Sequence, residues 1–150
     1  MDTIKIKKSD LDYAVNACDV SGSWYLMKDG STEWVSRQQS APEGSICKIP
    51  VFDPDGSGAL HDACSDKLTE IFGESPLFWE ERIDGESPSA YLEDNHPEEY
   101  AAIVDWLKEN AIDKLKLELE SGVEMYSDEY TQEVNCYTLE IEEAYQCSLA

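Results

Sequence analysis

Lysine and arginine are scarce in this chain of 150 residues, which has 11 basic residues against 33 acidic ones. After Lys116 neither residue occurs, whereas nine acids follow, and the formal net charge is −22 at pH 7. Nucleic acid and anionic lipid both bind through cationic contacts, so the composition argues against either as a direct partner. A basic protein surface is the natural complement of such a chain.

Several sequence patterns that define a compartment or a cofactor are also missing. The five cysteines never form a C-x-x-C pair, which excludes a recognisable zinc cluster or disulfide framework. The lysines near the N-terminus precede no long apolar run, so we expect neither a signal peptide nor a membrane span. We therefore expect a cytoplasmic protein without a cofactor, located in the host cytoplasm if a phage encodes it.

Recognisable catalytic motifs are absent as well. His61 and His96 are the only histidines, and neither lies near a serine or cysteine in a known nucleophile motif. His96 precedes Pro97, which favours a role in a helix cap. The chain contains no G-x-G-x-x-G, P-loop or G-x-S-x-G pattern. We predict that the protein is not an enzyme.

The apolar content nevertheless predicts a folded chain. Hydrophobic residues make up 41% of it, and it includes four tryptophans and eight tyrosines, which disordered acidic chains rarely have. Its length suits a single compact domain over residues 1–150. Helical and strand patterns alternate without a βαβ rhythm, which indicates an α+β domain, an antiparallel sheet with about three helices.

Hydrophobic periodicity places the elements. The 3.6-residue period predicts three helices, over residues 9–18, 60–72 and 97–110. Alternation or short apolar runs predict strands at 3–8, at 45–52, and on both sides of the Asp29-Gly30 turn. Strict alternation also predicts antiparallel strands at 113–120 and 135–143. Residues 73–96 are expected to form a loop with one short strand at 77–83.

The stretch FDPDGSGALHDAC, residues 52–64, partly matches a calcium-binding loop. The match fails at position 12, where Cys64 replaces the bidentate glutamate, and on the entering side, where a strand replaces a helix. We therefore favour a turn in which Asp55 or Ser57 caps the following helix. The alternative is a weak calcium site whose ligands would be Asp53, Asp55, Ser57 and Asp62.

Acidic residues alternate with apolar ones in parts of the last two predicted strands, where Glu118 and Glu120 share a face with Lys114 and Lys116, and Glu140 and Glu142 share one with Thr138. Acids at i and i+2 of a strand lie about 6.8 Å apart. If Glu118 and Glu120 lay in register with Glu140 and Glu142, a charge would appear about every 3.4 Å, the spacing of one DNA strand. Like charges opposite each other cost up to about 1 kcal/mol per pair, so folding alone would not favour this pattern.

The candidate partner-binding surface is therefore acidic. On the helix 97–110 it comprises Glu98, Glu99, Asp105 and Glu109. Towards the C-terminus it comprises Glu118, Glu120, Glu124, Asp128, Glu129, Glu133, Glu140, Glu142 and Glu143. Three aromatic residues flanked by acids are candidate anchors for such an interface, namely Trp79, Tyr126 and Tyr130.

In composition and size the chain resembles the DNA-mimic inhibitors among phage and plasmid anti-restriction and anti-CRISPR proteins. The likeness is compositional and assigns no residue. It implies a non-enzymatic inhibitor that occupies the cationic surface of a basic nucleic-acid-binding protein or complex. An immunity-type or assembly-type module for one basic partner is the first alternative, and a weak calcium-binding protein is the second. The sequence leaves the oligomeric state open.

Overall fold

A computed structural model describes residues 2–16, 21–54, 58–126 and 132–143. Contacts group the chain into two units: unit 1 comprises Met1–Val51 and Ala111–Ala150, and unit 2 comprises Phe52–Asn110. The described residues contain five helices and seven strands, which confirms the α+β class. They include no helix long and apolar enough to cross a bilayer. That all 150 residues form one domain stays a prediction.

The elements have the following bounds. The helices are α1 Lys8–Asn16, α2 Gly58–Phe72, α3 Pro76–Trp79, α4 Pro88–Asn95 and α5 Pro97–Ser121. The strands are β1 Asp2–Lys7, β2 Gly22–Met27, β3 Thr32–Ser36, β4 Ser45–Lys48, β5 Val123–Tyr126, β6 Gln132–Asn135 and β7 Tyr137–Glu142.

The first strand and the last one pair in unit 1. β1 and β7 run parallel, with Ile4 beside Leu139 and Ile6 beside Ile141. Both strands alternate as the sequence predicts, so their apolar side chains share one face and their charged side chains share the other. The predicted antiparallel pairing of residues 135–143 is wrong, because β7 takes β1 as its partner.

Unit 1 also contains a three-stranded antiparallel sheet with the strand order β3-β2-β4. The predicted hairpin is confirmed, with Trp24 beside Trp34 in the β2–β3 register. At its turn the Asp29 carboxylate accepts a hydrogen bond from the Ser31 backbone N–H at 2.9 Å. Gly30 follows Asp29 with a φ of 86°. A Cβ atom at Gly30 would overlap the carbonyl group of Lys5, so the turn lies directly against β1.

Unit 2 is built around a buried tryptophan. Trp79 packs in a core cluster with Cys64, Leu68, Ile83 and Leu92, and its indole Nε1 donates a hydrogen bond to the Thr69 hydroxyl at 3.0 Å. The side chains come from α2, α3, α4 and the turn that follows α3. A helical cluster therefore replaces the predicted loop of residues 73–96.

The predicted strand at 77–83 is wrong, and the number of helices exceeds the expected three. Ser75 and Ser87 occupy N-cap positions, and each is followed by a proline in the first turn of a helix. The Ser87 hydroxyl accepts a hydrogen bond from the Ala90 N–H at 3.2 Å. Ser-Pro pairs are typical of helix starts as well as of loops, and here they start α3 and α4.

The predicted strand at 113–120 is also wrong, because α5 continues through it for a total of 25 residues. Ala111, Leu115 and Leu119 are buried, which is i, i+4 spacing, whereas Leu117 is 65% exposed. The segment DKLKLELE contains no β-branched residue, and leucine, lysine and glutamate are all strong helix formers. The alternating residues therefore belong to a helix, and Leu117 lies on its exposed face.

Candidate acidic interface

The acidic excess is strongest in unit 2, where residues 52–110 include sixteen acids and only three bases. All three bases are already engaged. The Arg82 guanidinium lies 2.8 Å from the Glu74 carboxylate, and the Lys67 ammonium lies 3.4 Å from that of Glu70. The Lys108 ammonium lies 5.8 Å from the ring centroid of Phe52. Apart from Glu70 and Glu74, the acids among the described residues of unit 2 therefore form no ion pair with its three bases.

Twelve described acids of unit 2 reach the surface and take part in no ion pair among the described residues. They lie on α2, on the turn after α3, on α4 and on α5. They are Asp62, Asp66, Glu80, Glu81, Asp84, Glu86, Glu93, Asp94, Glu98, Glu99, Asp105 and Glu109. Glu99 is half-buried, and the others are exposed. We call these twelve residues the acidic surface of unit 2.

Four of these acids were predicted as partner-binding residues, and α5 carries all of them. Glu98 and Glu99 lie in its first turn, where the helix dipole stabilises negative charge, so they also support folding. Asp105 and Glu109 lie one turn apart, and two like charges at this spacing repel by a few tenths of a kcal/mol. Lys108 lies three residues after Asp105 on the same helix and offsets part of this repulsion, but no ion pair joins the two side chains.

The predicted ladder of like charges is not formed. Glu118 and Glu120 belong to α5, whereas Glu140 and Glu142 belong to β7. In the parallel register Glu140 lies beside Lys5 and Glu142 beside Lys7, so opposite charges face each other on the exposed side of this pair of strands. The chain's own lysines therefore accompany the carboxylates that were expected to imitate a DNA strand.

The structure describes only some of the other acids that were predicted to bind a partner. Glu143 follows β7 and is exposed. Glu124 and Glu133 belong to β5 and β6, which pair antiparallel. Asp128 and Glu129 lie outside the described residues, as does the candidate anchor Tyr130. Their part in an interface stays a prediction.

The predicted anchor Trp79 is wrong, since its side chain is 1% exposed and forms the core of unit 2. Tyr126 belongs to β5, and its role is untested. Sequence reasoning missed four large apolar residues of unit 2 that are exposed, namely Ile71 at 36%, Leu77 at 79%, Phe78 at 61% and Trp106 at 57%. No sequence signal separates Leu77 and Phe78 from the buried Trp79, because the four-residue α3 contains all three in a single turn.

The Asp53 side chain supports the start of α2. It is buried, and its Oδ1 accepts a hydrogen bond from the Ala59 backbone N–H at 3.0 Å. This satisfies one of the free donors at the N-terminus of the helix, the capping role that we expected of Asp55 or Ser57. Asp55 and Ser57 lie outside the described residues, and Asp62 is exposed on α2. In the described part of the chain no three histidine, cysteine or acidic side chains form a metal-binding group.

The two histidines lie on different elements of unit 2. His61 is exposed on α2. His96 is the C-cap of α4, and its backbone N–H donates to the Leu92 carbonyl, which confirms the predicted role in a helix cap. The His96 carbonyl in turn accepts a hydrogen bond from the Tyr100 N–H at 3.0 Å and so joins α4 to α5.

Two cysteines are shielded by their surroundings. Burial and the nearby Glu118 carboxylate raise the pKa of Cys47 to about 12, and burial raises that of Cys64 to about 11. The thiolate is the reactive form, so at pH 8 only a small fraction of the Cys64 side chains can react. We expect iodoacetamide at pH 8 to label both residues at least about tenfold more slowly in the folded than in the unfolded protein.

Peptide mapping by mass spectrometry measures this labelling for each cysteine. The rate at Cys64 should rise with pH up to about 11, because each increase in pH raises the thiolate fraction until the pKa is passed. Equal labelling rates in folded and unfolded protein at pH 8 would contradict the assigned environments.

Comparison of the chain with family models, with curated proteins and with solved structures finds no match in any of the three.

Proposed function

We propose that the protein is an acidic, non-enzymatic inhibitor that occupies the cationic surface of a basic nucleic-acid-binding protein. The observation that supports this most strongly is the charge of unit 2, in which sixteen acids stand against three bases and twelve acids at the surface form no ion pair with any described residue. Lysines and arginines that normally neutralise phosphates would meet these carboxylates instead. The candidate targets are the nucleic-acid-binding proteins of restriction and CRISPR systems.

Local clustering of the carboxylates supports the proposal. Acids adjoin each other in sequence at 80–81, 93–94 and 98–99, and they lie one helical turn apart at 62 and 66 and at 105 and 109. Neighbours one turn apart have Cβ atoms about 5–6 Å from each other, which is less than the Debye length of about 8 Å in physiological salt. Their fields therefore add, which speeds the encounter with a cationic partner.

A DNA-displacement assay tests the proposal directly. The probes are a purified type I restriction enzyme and a purified CRISPR DNA-binding complex, each loaded with fluorescent duplex DNA in about 50 mM salt, where electrostatic attraction is strong. We expect the wild-type protein to displace the duplex from at least one of them. Failure to displace DNA from both enzymes would show that the protein is not an inhibitor of this type.

A matched pair of double variants locates the surface. Asp105→Asn with Glu109→Gln removes two carboxylates that form no ion pair with any described residue, and we expect about fivefold weaker displacement, because each exposed charge contributes up to about 1 kcal/mol. Glu140→Gln with Glu142→Gln removes two carboxylates that lie beside Lys5 and Lys7, and we expect less than about a twofold change. Equal losses in the two variants would place the interface elsewhere.

An immunity-type module for a single basic protein is the second candidate. The exposed Leu77 and Phe78 are also compatible with this candidate, because a compact apolar spot suits an interface with one cognate basic protein. The two functions differ in their response to nucleic acid. Duplex DNA competes with a DNA mimic for its target, whereas it leaves the complex of an immunity-type module intact.

A further inference from the structure

The α3 region of unit 2 exposes two large apolar side chains next to each other. Leu77 is 79% exposed and Phe78 is 61% exposed. Isolated exposed apolar residues are ordinary, but two adjacent ones on a strongly acidic unit form a patch that water solvates poorly. Such a patch suggests an interaction site.

Local structure fixes the outward direction of both side chains. Ser75 caps the single turn of α3, its carbonyl accepting hydrogen bonds from the N–H groups of Phe78 at 2.9 Å and Trp79 at 3.2 Å. The buried Trp79 side chain holds the turn to the core through its hydrogen bond to Thr69. Because Trp79 points inward, the two residues before it point outward. The pair is therefore presented by a pre-organised backbone, which lowers the entropy cost of binding.

Carboxylates border this apolar pair. Glu80 and Glu81 are exposed and follow within one turn of Leu77 and Phe78. The nearby Arg82 is paired with Glu74, so it does not offset them. An apolar centre with a charged rim is the usual anatomy of a protein interface.

We propose that Leu77 and Phe78 anchor this protein in an apolar cleft that lysines and arginines border on its protein target. The acidic rim excludes an anionic membrane and a nucleic acid as occupants, since both would bring further negative charge to Glu80 and Glu81. The same rim is complementary to a cationic protein surface. This inference rests on the proposed function and adds the contact that holds the complex once electrostatic attraction has formed it.

Two single variants and a matched control test the anchor against the same restriction enzyme and CRISPR complex. Leu77→Ala and Phe78→Ala should each weaken binding about 10- to 100-fold, mainly through faster dissociation, as truncation of an interface hot spot does. Leu117→Ala removes another largely exposed leucine, at 65% against 79% for Leu77, from unit 1, and we expect less than a twofold change. Circular dichroism and the melting temperature of each variant check that the fold is retained.

The salt dependence separates the anchor from the electrostatic attraction. Leu77→Ala and Phe78→Ala should leave the slope of affinity against salt unchanged, because they remove no charge. If both variants bind like the wild type while Asp105→Asn with Glu109→Gln binds more weakly, the anchor is wrong and the proposed function stands. If the wild type itself binds neither enzyme, both proposals are overturned.

Discussion

Replacing Trp79 by alanine should lower the free energy of unfolding of unit 2 by about 3–5 kcal/mol, the cost of removing a large aromatic side chain from a packed core. Trp79 is 1% exposed, and it lies among side chains from α2, α4 and the turn after α3. Its ring also stacks on Phe72 at a centroid distance of 6.3 Å. A cavity at this position therefore affects most of the contacts that define the unit.

Urea unfolding followed by circular dichroism measures the loss, and Trp79→Phe serves as the control. Phenylalanine keeps much of the apolar volume but cannot donate to the Thr69 hydroxyl, so we expect a smaller cost of about 1–2 kcal/mol. A loss below about 1 kcal/mol for Trp79→Ala would mean that the tryptophan does not hold this core together.

Replacing Gly30 by alanine should destabilise unit 1 by about 2–5 kcal/mol, through two separate effects. Its φ of 86° lies in the left-handed region that side-chain-bearing residues rarely adopt. The added Cβ would also overlap the carbonyl group of Lys5 in β1, so the hairpin would have to move away from that strand. The added Cβ and the atoms it would overlap both belong to, or are attached directly to, backbone, so no flexible side chain can move to relieve the overlap.

Gly44→Ala separates these two effects. Gly44 lies in the same unit with a φ of 85°, but a Cβ there would meet only the terminal methyl of Met27 at an ordinary 3.8 Å. It therefore shares the conformational strain without the steric overlap, and we expect a cost of about 1 kcal/mol. The free energy of unfolding in urea measures both variants. If Gly30→Ala costs no more than Gly44→Ala, the turn does not pack against β1 as described.

Sequence patterns predicted the elements that combine periodicity with a clear terminus. The β2–β3 hairpin follows from apolar runs around Asp29-Gly30, and α2 follows from its 3.6-residue period with Gly73 at its end. In both places local propensity and tertiary packing favour the same structure. Such agreement allows a single sequence to be interpreted correctly.

Prediction failed where two periods fit the same residues. Leu115, Leu117 and Leu119 alternate like a strand, yet Leu115 and Leu119 are also one helical turn apart, and the helical propensity of their neighbours decides the outcome. The partner of β7 was missed for a different reason. Each residue of β1 lies 135 positions before its partner in β7, as Lys7 does before Glu142, and no local pattern reports so distant a contact.

The sequence predicted the acidic character of the candidate site, but it did not predict which apolar residues are exposed there. The acidic excess follows from counting residues, and the part of α5 that carries Glu98 and Asp105 was predicted as a helix, whereas its continuation to Ser121 was not. The apolar anchors were missed, because the exposure of Leu77 and Phe78 depends on the burial of Trp79, which is a property of the folded core. Charge can be counted in a sequence, whereas the direction of a side chain requires the fold.

The salt dependence of binding to the restriction enzyme or the CRISPR complex tests the central claim most directly. If the carboxylates of unit 2 replace phosphates, the affinity should fall steeply between about 50 and about 500 mM salt. The slope should be shallower for Asp105→Asn with Glu109→Gln, which carries two fewer charges. An affinity that stays constant over this range would contradict the claim that the acidic surface of unit 2 is recognised as a polyanion.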